Sequence, residues 1–157
     1  MPNIAIFAGS FDPITKGHEN IVHRALPLFD KIIVAVGHNA DKKSFFSIEQ
    51  RVDFIKKTFA DTPKIFVETY DGLTVDFAKK HNANFLLRGL RNSADFEFER
   101  NIASVNKDLL PNLETVFMCT EPAFSHISSS VVRDILRHNG DATLFLPNVL
   151  SVMSSEV

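Results

Sequence analysis

Short apolar runs rich in β-branched residues recur along the chain, and enough residues separate each run from the next to form a helix. The runs are apolar throughout and do not alternate with polar positions, which is typical of parallel strands covered on both faces. We therefore predict five strands, at Ile4–Ala8, Ile32–Val36, Ile65–Val67, Phe85–Leu87 and Val116–Met118.

The segments between these runs show the spacing of amphipathic helices. A first helix is predicted over Glu19–Leu28, directly after the loop that follows the first strand. Further along, the apolar residues form a stripe at intervals of four, three and four residues, as one face of a helix requires. The members of this stripe are Phe98, Ile102, Val105 and Leu109.

Residues that start and stop helices support this interpretation. Ser47 and Gln50 have the three-residue spacing of a capping box before the second helix. Pro111 is expected to end the long helix after Leu110, and Gly140 to stop the last helix as its C′ residue.

Five strands alternating with helices predict a single α/β domain over residues 1–157, with a doubly wound, parallel five-stranded sheet of the Rossmann-like kind. The last few residues, around Ser154 and Ser155, are expected to fray. In such sheets ligands bind beyond the carboxyl ends of the strands, where the strand order reverses. The loops that follow the strands are therefore the places to look for chemistry.

The charge balance excludes two classes of partner. The 157 residues include 17 Lys+Arg and 19 Asp+Glu, and the isoelectric point is about 6.3. Nucleic-acid-binding domains usually have values above about 9, and no apolar run approaches the ~20 residues that span a bilayer. We expect neither nucleic acid nor a membrane as partner.

The only cysteine, Cys119, is interpreted as a packing residue at a strand end. A chain with no possible internal disulfide fits the cytoplasm.

The loop after the first strand has the residues of a phosphate-binding turn. Gly9 and Gly17 allow close approach of the backbone, and the helix start near His18 offers free N–H groups and a positive dipole end. The spacing matches neither a Walker A loop nor GxGxxG. The plainer alternative is a turn that binds no ligand, with a surface histidine whose hydrogen bonds are already made.

Cations and hydroxyl groups follow three other strands. Lys42 and Lys43 follow the second strand, and Arg88 and Arg91 leave the fourth. Lysines can reach a phosphate as point charges, and guanidinium groups bind phosphate oxygens in pairs. The alternatives are a solvated lysine pair and structural ion pairs between the arginines and the carboxylates of Asp95 or Glu97.

Three consecutive serines, Ser128 to Ser130, stand at the start of the last helix, which is more than one N-cap needs. All four loops converge on one crevice if the sheet is doubly wound. Together they offer hydroxyl groups, one histidine and several cations, but no activated nucleophile. Phosphoryl or nucleotidyl transfer needs only positioning and charge neutralisation, so we predict an ATP-type ligand without a covalent enzyme intermediate.

Three motifs carry a resemblance to a known family. Gly9–Pro13 with Thr15–His18 resembles the first signature of the nucleotidyltransferase superfamily, and Ile127–Arg133 resembles its ISSSxxR signature. Arg88–Arg91 followed by Asp95–Glu99 is similar to bacterial phosphopantetheine adenylyltransferases, and the likeness extends over essentially the whole chain.

The resemblance implies reversible transfer of the adenylyl group from ATP to 4′-phosphopantetheine, giving dephospho-CoA and pyrophosphate. It implies Mg²⁺ held mainly by the ATP phosphates, and a homohexamer. Residues of the family's motifs carry over to positions of this sequence. The implied catalytic residues are His18, Lys42 and Arg91. Those implied for phosphopantetheine are Ser10, Lys42, Thr74 and Arg88. Those implied for ATP are Ser10, Phe11, His18, Gly89, Leu90, Arg91, Glu99, Phe124, Ser125, His126, Ile127, Ser128, Ser129 and Ser130.

Three positions depart from the family pattern. Ser10 stands where the family commonly has Thr, which keeps the hydroxyl group and loses the methyl group that restricts its rotamer. Phe98 replaces a frequent Tyr and so offers no hydroxyl group. His126 precedes Ile127 where an aromatic residue is more common.

Three other functions remain open at this point. A nucleotidyltransferase acting on nicotinate mononucleotide or glycerol phosphate would share the fold, although Thr15 stands where cytidylyltransferases usually carry His. A non-catalytic nucleotide sensor would bind ATP without releasing pyrophosphate. An RNA-binding module would need an exposed aromatic platform or a basic stripe, and neither is evident.

Overall fold

The computed structural model describes residues 1–155 of the chain, with side chains through residue 151. A parallel five-stranded sheet has the order β3-β2-β1-β4-β5. Its strands are β1 (Ile4–Gly9), β2 (Lys31–Gly37), β3 (Ile65–Tyr70), β4 (Phe85–Leu90) and β5 (Glu114–Cys119). The helices are α1 (Lys16–Ala25), α2 (Ile48–Thr58), α3 (Thr74–Lys80), α4 (Ser93–Leu109) and α5 (Ser129–Arg137). The doubly wound α/β fold and all five predicted strands are confirmed.

The apolar runs form strands because both faces of the sheet are covered. β1 is the central strand and β2 lies beside it, and the two pair in register from Ile4 with Lys31 to Gly9 with Val36. Ile6 and Ile33 belong to the core on one face, while Phe7 and Val34 belong to the core on the other. β1 also pairs with β4, so the strand order reverses between these two strands and opens a crevice at their carboxyl ends.

Helix α1 begins three residues earlier than the sequence predicted. Thr15 is the N-cap, in extended conformation at φ -121°, and the helix runs from Lys16 to Ala25. Leu26–Leu28 then forms a separate 3-10 helix that contains a proline. The early start places His18 inside the first turn of α1, where its side chain completes the cap.

The other helix ends agree more closely with the sequence. Ser47 and Gln50 form the predicted capping box of α2, and α4 ends at Leu109, just before Pro111. At the end of α5 the left-handed residue is Asn139, at φ 58°, and not the predicted Gly140. Gly140 follows it, and its N–H donates to the Ile135 carbonyl at 2.8 Å.

Short 3-10 helices complete the fold, at Pro122–Phe124, Thr143–Phe145 and Asn148–Ser155. The predicted fraying of the chain end concerns residues at the limit of the described range, and residues 156 and 157 lie outside it. Within residues 1–155, no helix is long and apolar enough to cross a membrane.

Candidate active site

Three adjoining cavities open at the carboxyl ends of the strands, and Gly9 at the end of β1 lines all of them. The central cavity, of about 350 Å³, lies between β1, β4 and the starts of α1 and α5. The α4 cavity, of about 210 Å³, lies between the sheet and α4. The α2 cavity, of about 700 Å³, is bounded by the loop after β2, by α2 and by α5.

The central cavity brings together most of the predicted site residues, which come from β4 and from the segments after β1, β4 and β5. The predicted loop after β2, with Lys42, lines the neighbouring α2 cavity. The four loops predicted to share one crevice are therefore divided between two adjoining cavities. The predicted residues that line the central cavity are Ser10, Phe11, His18, Arg88, Gly89, Arg91, Glu99, Phe124, Ile127, Ser128 and Ser129.

The cap of α1 fixes the orientation of the His18 ring. Its Nδ1 accepts a hydrogen bond from the backbone N–H of Thr15 at 3.0 Å and lies 3.2 Å from the Thr15 hydroxyl group. Phe11 packs edge-on against the ring, with centroids 5.0 Å apart. Because Nδ1 is an acceptor, the proton of the neutral ring lies on Nε2. His18 therefore presents an N–H donor from Nε2.

The surroundings of His18 keep it neutral. Desolvation by burial, followed by the charges of Arg88 and Arg91, lowers the pKa of His18 to about 4. Protonation would also place a hydrogen on Nδ1, directly opposite the Thr15 N–H. At neutral pH the imidazole is therefore a neutral hydrogen-bond donor and carries no charge.

A carboxylate holds Arg88 in a fixed orientation. Its Nε donates to Oε2 of Glu99 at 2.9 Å and its Nη2 to Oε1 at 2.7 Å, while Nη1 donates to the Ala8 carbonyl. This is a bidentate ion pair between β4 and α4, and the Glu99 side chain is only 13% exposed. Glu99 was predicted as an ATP residue. It lines the central cavity, but both of its oxygens bind Arg88.

Arg91 is held in a similar way by Asp95. The carboxylate accepts from the Arg91 backbone N–H at 3.0 Å and from its Nε at 3.1 Å. Burial acts to raise the pKa of Asp95, but these bonds and the arginine charges outweigh it, and the pKa lies below its usual value. The alternative ion pair with Asp95 is therefore present. Glu97 pairs with Arg100 instead.

The three serines have different partners. Ser128 is the N-cap of α5, and its hydroxyl group accepts from the Val131 N–H. The Ser129 hydroxyl group donates to the Pro13 carbonyl at 2.7 Å, which ties α5 to the first loop. Ser130 accepts from Arg133 at 3.1 Å and lies outside the lining of the central cavity.

Some predicted residues lie away from the central cavity. Lys42 is exposed and lines the α2 cavity, which also contains Ser10. Thr74 lines the α4 cavity, and its hydroxyl group is 3.0 Å from that of Tyr70. Three further predicted ATP residues contribute nothing to the lining of the central cavity: Leu90, Ser125 and His126.

The positions that depart from the family pattern also differ in location. Ser10 lines both the central and the α2 cavity. His126 packs against Phe145, with ring centroids 6.3 Å apart. Phe98 is 67% exposed on α4.

Sequence reasoning missed two charged residues that organise the first loop. The carboxylate of Asp12 is buried and accepts from the N–H groups of Phe45 and Phe46, at 2.8 Å each. Arg51 on α2 is also buried and donates to the Ser10 carbonyl at 2.8 Å. A signal was available, because Arg51 stands four residues before the buried Ile55 and so occupies the apolar face of its helix.

Comparison with known proteins gives the family. The profile of the cytidylyltransferase-like family matches residues 6–135. A phosphopantetheine adenylyltransferase of Flavobacterium johnsoniae is 57% identical over 148 residues, which cover 94% of this chain and 97% of that protein. Another, from Cytophaga hutchinsonii, is 53% identical over 147 residues, covering 94% and 98%.

Solved structures of more distant proteins share the fold. The nicotinic acid mononucleotide adenylyltransferase of Plasmodium falciparum, complexed with NaAD, superposes with a TM-score of 0.70 at 19% identity and covers 100% of this chain and 97% of its own. A bifunctional NMN adenylyltransferase/ADP ribose pyrophosphatase from Francisella tularensis, complexed with AMP and a Mn ion, gives a TM-score of 0.67 at 17% identity, covering 93% and 44%.

The two solved structures are too distant in sequence for their substrates to be assigned to this chain. The relatives from Flavobacterium johnsoniae and Cytophaga hutchinsonii, by contrast, match 94% of it at more than 50% identity. The nucleotide-type site and these identities lead to the same conclusion: the chain belongs to the phosphopantetheine adenylyltransferase family, the nucleotidyltransferases that transfer AMP from ATP to phosphopantetheine in coenzyme A biosynthesis.

Proposed function

We propose that the adenylyl transfer of this family takes place here by direct in-line attack, with ATP in the central cavity and the phosphate of 4′-phosphopantetheine at its border with the α2 cavity. One observation carries the proposal. Ser10 lines both cavities, with His18 and the paired arginines on one side and Lys42 on the other. Two phosphates bound on either side of Ser10 would face each other across the loop after β1.

ATP is assigned to the central cavity because its donors suit a polyphosphate. Gly89 lines this cavity near the end of β4, and its lack of a side chain lets Ile21 of α1 pack closely there, since an added Cβ would come within 3.2 Å of Ile21. Arg91 and the start of α5 at Ser129 offer charge and N–H groups to the phosphates. Phe124 and Ile127 cover the nucleotide from the loop after β5. Glu99 lines this cavity, but both of its oxygens hold Arg88, which is assigned to the acceptor phosphate below.

The acceptor is assigned to the other two cavities. Lys42 and Ser10 hold its phosphate, and Arg88 reaches it from β4. The α4 cavity then takes the pantetheine arm, since it contains the apolar side chains of Ile6, Leu86 and Ile102 beside Thr74. An apolar channel with a few polar groups matches a thiol-terminated amide chain.

The chemistry needs no general base, because the acceptor phosphate is already an anionic nucleophile. One of its oxygens forms a bond to the α-phosphorus of ATP, and the bond from that phosphorus to the bridging oxygen of the β-phosphate breaks. The electron pair leaves with pyrophosphate. The Nε2–H of His18 donates to a non-bridging oxygen of the α-phosphate, where charge develops in the transition state.

Mg²⁺ is proposed to enter with the ATP phosphates, whose negative charge it neutralises when bound. The residues around the central cavity fit a cation carried in this way, because its two carboxylates, Asp95 and Glu99, are both bound to arginines. Among the described residues, no group of three or more His, Cys, Asp or Glu side chains could hold a metal. The Francisella tularensis structure, with AMP and a Mn ion, supports a divalent metal on the nucleotide.

The homohexamer and the cytoplasmic location also remain proposals. An oligomer is supported by α4, whose apolar stripe is partly exposed: Phe98 by 67%, and Val105 and Leu109 by 56% each. Light scattering of the purified protein tests the hexamer directly, because a mass of six chains supports it and a monomer or dimer contradicts it. The single cysteine, Cys119, supports the location.

The reaction is tested with a panel of acceptors and nucleotides. ATP and Mg²⁺ are supplied with 4′-phosphopantetheine, nicotinate mononucleotide or glycerol phosphate, and CTP replaces ATP in a parallel series. We expect pyrophosphate and dephospho-CoA only from ATP with 4′-phosphopantetheine. Turnover with another acceptor and none with this one would overturn the assignment, and ATP binding without any pyrophosphate release would indicate a nucleotide sensor.

A further inference from the structure

The α2 cavity is lined by charged residues that are mainly cations. None of its basic residues forms an ion pair within the described part of the chain. Among the residues that the structure describes, its only acidic lining residue is Asp12, whose two oxygens accept the N–H groups of Phe45 and Phe46. The basic residues are Lys42, Lys43, Arg51, Arg133 and Arg137.

Arg51 differs from the other four because it is buried. Its residue is only 4% exposed, whereas long surface cations keep their charged ends in water. Nη1 donates to the Ser10 carbonyl at 2.8 Å and to the Gly37 carbonyl at 3.4 Å. Nε is buried and has no hydrogen-bond partner in the described part of the molecule.

A buried guanidinium group without a carboxylate is costly to the folded protein. Two backbone carbonyls satisfy part of its hydrogen bonding but supply no negative charge in contact with it. Arg88 and Arg91, by contrast, each have an acidic partner. The unpaired charge of Arg51 lies directly beneath Ser10, where the acceptor phosphate is assigned.

We propose that Arg51 determines the specificity for the phosphate of the acceptor through its charge. It donates to the carbonyls of Ser10 and Gly37, at the ends of β1 and β2, and lines the same cavity as Lys42. Its charge then makes the pocket selective for a phosphate dianion, because no carboxylate of the described residues forms an ion pair with it. This inference rests on the proposed function, and in particular on the placement of the acceptor.

A purely structural role would have a different signature. If Arg51 only joined two loops, its loss would weaken every ligand that depends on the shape of the pocket. If its charge acts on the phosphate, its loss weakens phosphorylated ligands alone. Pantetheine, which lacks the phosphate group, separates these two cases.

The test measures binding of 4′-phosphopantetheine, pantetheine and ATP to the whole protein by calorimetry. Three variants are compared with the wild type. Arg51→Met removes the charge, and Arg51→Lys keeps the charge but loses the forked donor. Arg100→Met is the matched control, because Arg100 is an exposed arginine on α4, away from the three cavities.

For Arg51→Met we expect a loss of about ten-fold or more in affinity for 4′-phosphopantetheine, the size of a lost charge-assisted interaction. Binding of pantetheine and ATP should change less than about two-fold. Arg51→Lys should recover part of the loss, and Arg100→Met should bind like the wild type. If Arg51→Met fails to fold, the selective partial loss in Arg51→Lys carries the test.

Equal weakening of 4′-phosphopantetheine and pantetheine in either variant would overturn the proposal, and so would unchanged binding of both. Failure of the proposed function is recognised separately. In that case the wild-type protein itself would release no pyrophosphate from ATP with 4′-phosphopantetheine. If the wild-type enzyme is active and Arg51→Met binds 4′-phosphopantetheine normally, only the role of Arg51 is rejected.

Discussion

The central cavity and the α2 cavity share Gly9 and Ser10, but they hold positive charge differently. In the central cavity Arg88 and Arg91 are each fixed by a carboxylate. In the α2 cavity no basic side chain forms an ion pair within the described residues. Arg51 is buried there without an ion-pair partner. Paired arginines have a set direction and a reduced charge, whereas unpaired cations keep their charge for a ligand.

This difference suits two kinds of phosphate. Transfer at the α-phosphate of ATP depends on geometry, so donors with fixed directions are most useful there. Capture of the acceptor phosphate depends more on attraction, for which uncompensated charge is effective. The variants below test each side of the comparison.

Loss of the His18 side chain should have the largest effect. His18→Ala removes a donor aimed at the α-phosphate, and removal of one such donor typically lowers kcat by about 10²–10³-fold. Binding of ATP should remain largely intact, because the paired arginines stay in place. Pyrophosphate release measures kcat, and calorimetry measures ATP affinity. His23→Ala, on an exposed position of the same helix, is the control and should keep turnover within about two-fold. Near-normal turnover of His18→Ala would remove His18 from the mechanism.

Loss of Lys42 should act on the other substrate. Lys42→Ala removes an unpaired charge from the α2 cavity, so affinity for 4′-phosphopantetheine should fall by about 10- to 100-fold, while that for ATP changes only a little. The comparison of the two KM values in the same variant is its own control. An equal loss for both substrates would contradict the division between the cavities.

Loss of a carboxylate in the central cavity should have a smaller effect. Glu99→Gln frees Arg88 from its bidentate partner, and the guanidinium group loses its fixed direction. We expect kcat/KM for 4′-phosphopantetheine to fall by about ten-fold. Glu97→Gln is the matched control, since Glu97 is exposed and pairs with Arg100. If Glu99→Gln were as active as the control, the orientation that Glu99 gives to Arg88 would not contribute to the reaction.

The neutral state of His18 should appear in the pH dependence of stability. Its pKa is lowered from 6.5 to about 4 in the folded protein, so between these values the unfolded chain binds a proton that the folded chain does not. The stability contributed by the neutral ring is present above pH 6.5 and is lost as the pH falls toward 4.

Urea unfolding at pH 7.5 and pH 5.0 measures this effect. From pH 7.5 to 5.0 the wild type should lose about 2 kcal/mol more free energy of unfolding than His18→Asn. The two proteins would show the same change if His18 titrated normally in the fold.

The sequence was a good guide where local patterns decide the structure. Apolar runs such as Ile32–Val36 have few alternatives to a buried parallel strand, and Ser47 with Gln50 forms the cap that its spacing predicts. The pairing of Arg91 with Asp95 was an open alternative because these residues lie four apart. In each case the information lies within a few residues of the chain.

Contacts between distant segments were beyond such reasoning. Arg88 and Glu99 meet because β4 and α4 pack together, and their ion pair was not predicted from the sequence. Arg51 interacts with Ser10, 41 residues away, and its burial depends on how α2 sits on the sheet. The start of α1 was misplaced because His18 serves both as a cap residue and as a cavity residue.

The most direct test of this account is a crystal structure with 4′-phosphopantetheine and a non-hydrolysable ATP analogue bound together. We expect the acceptor phosphate between Ser10 and Lys42, with an oxygen about 3 Å from the Lys42 Nζ, and the α-phosphate of the analogue facing Nε2 of His18. An acceptor phosphate bound instead by Arg91 and Ser129, with no ligand oxygen in the α2 cavity, would contradict the central claim that the two cavities divide the two substrates.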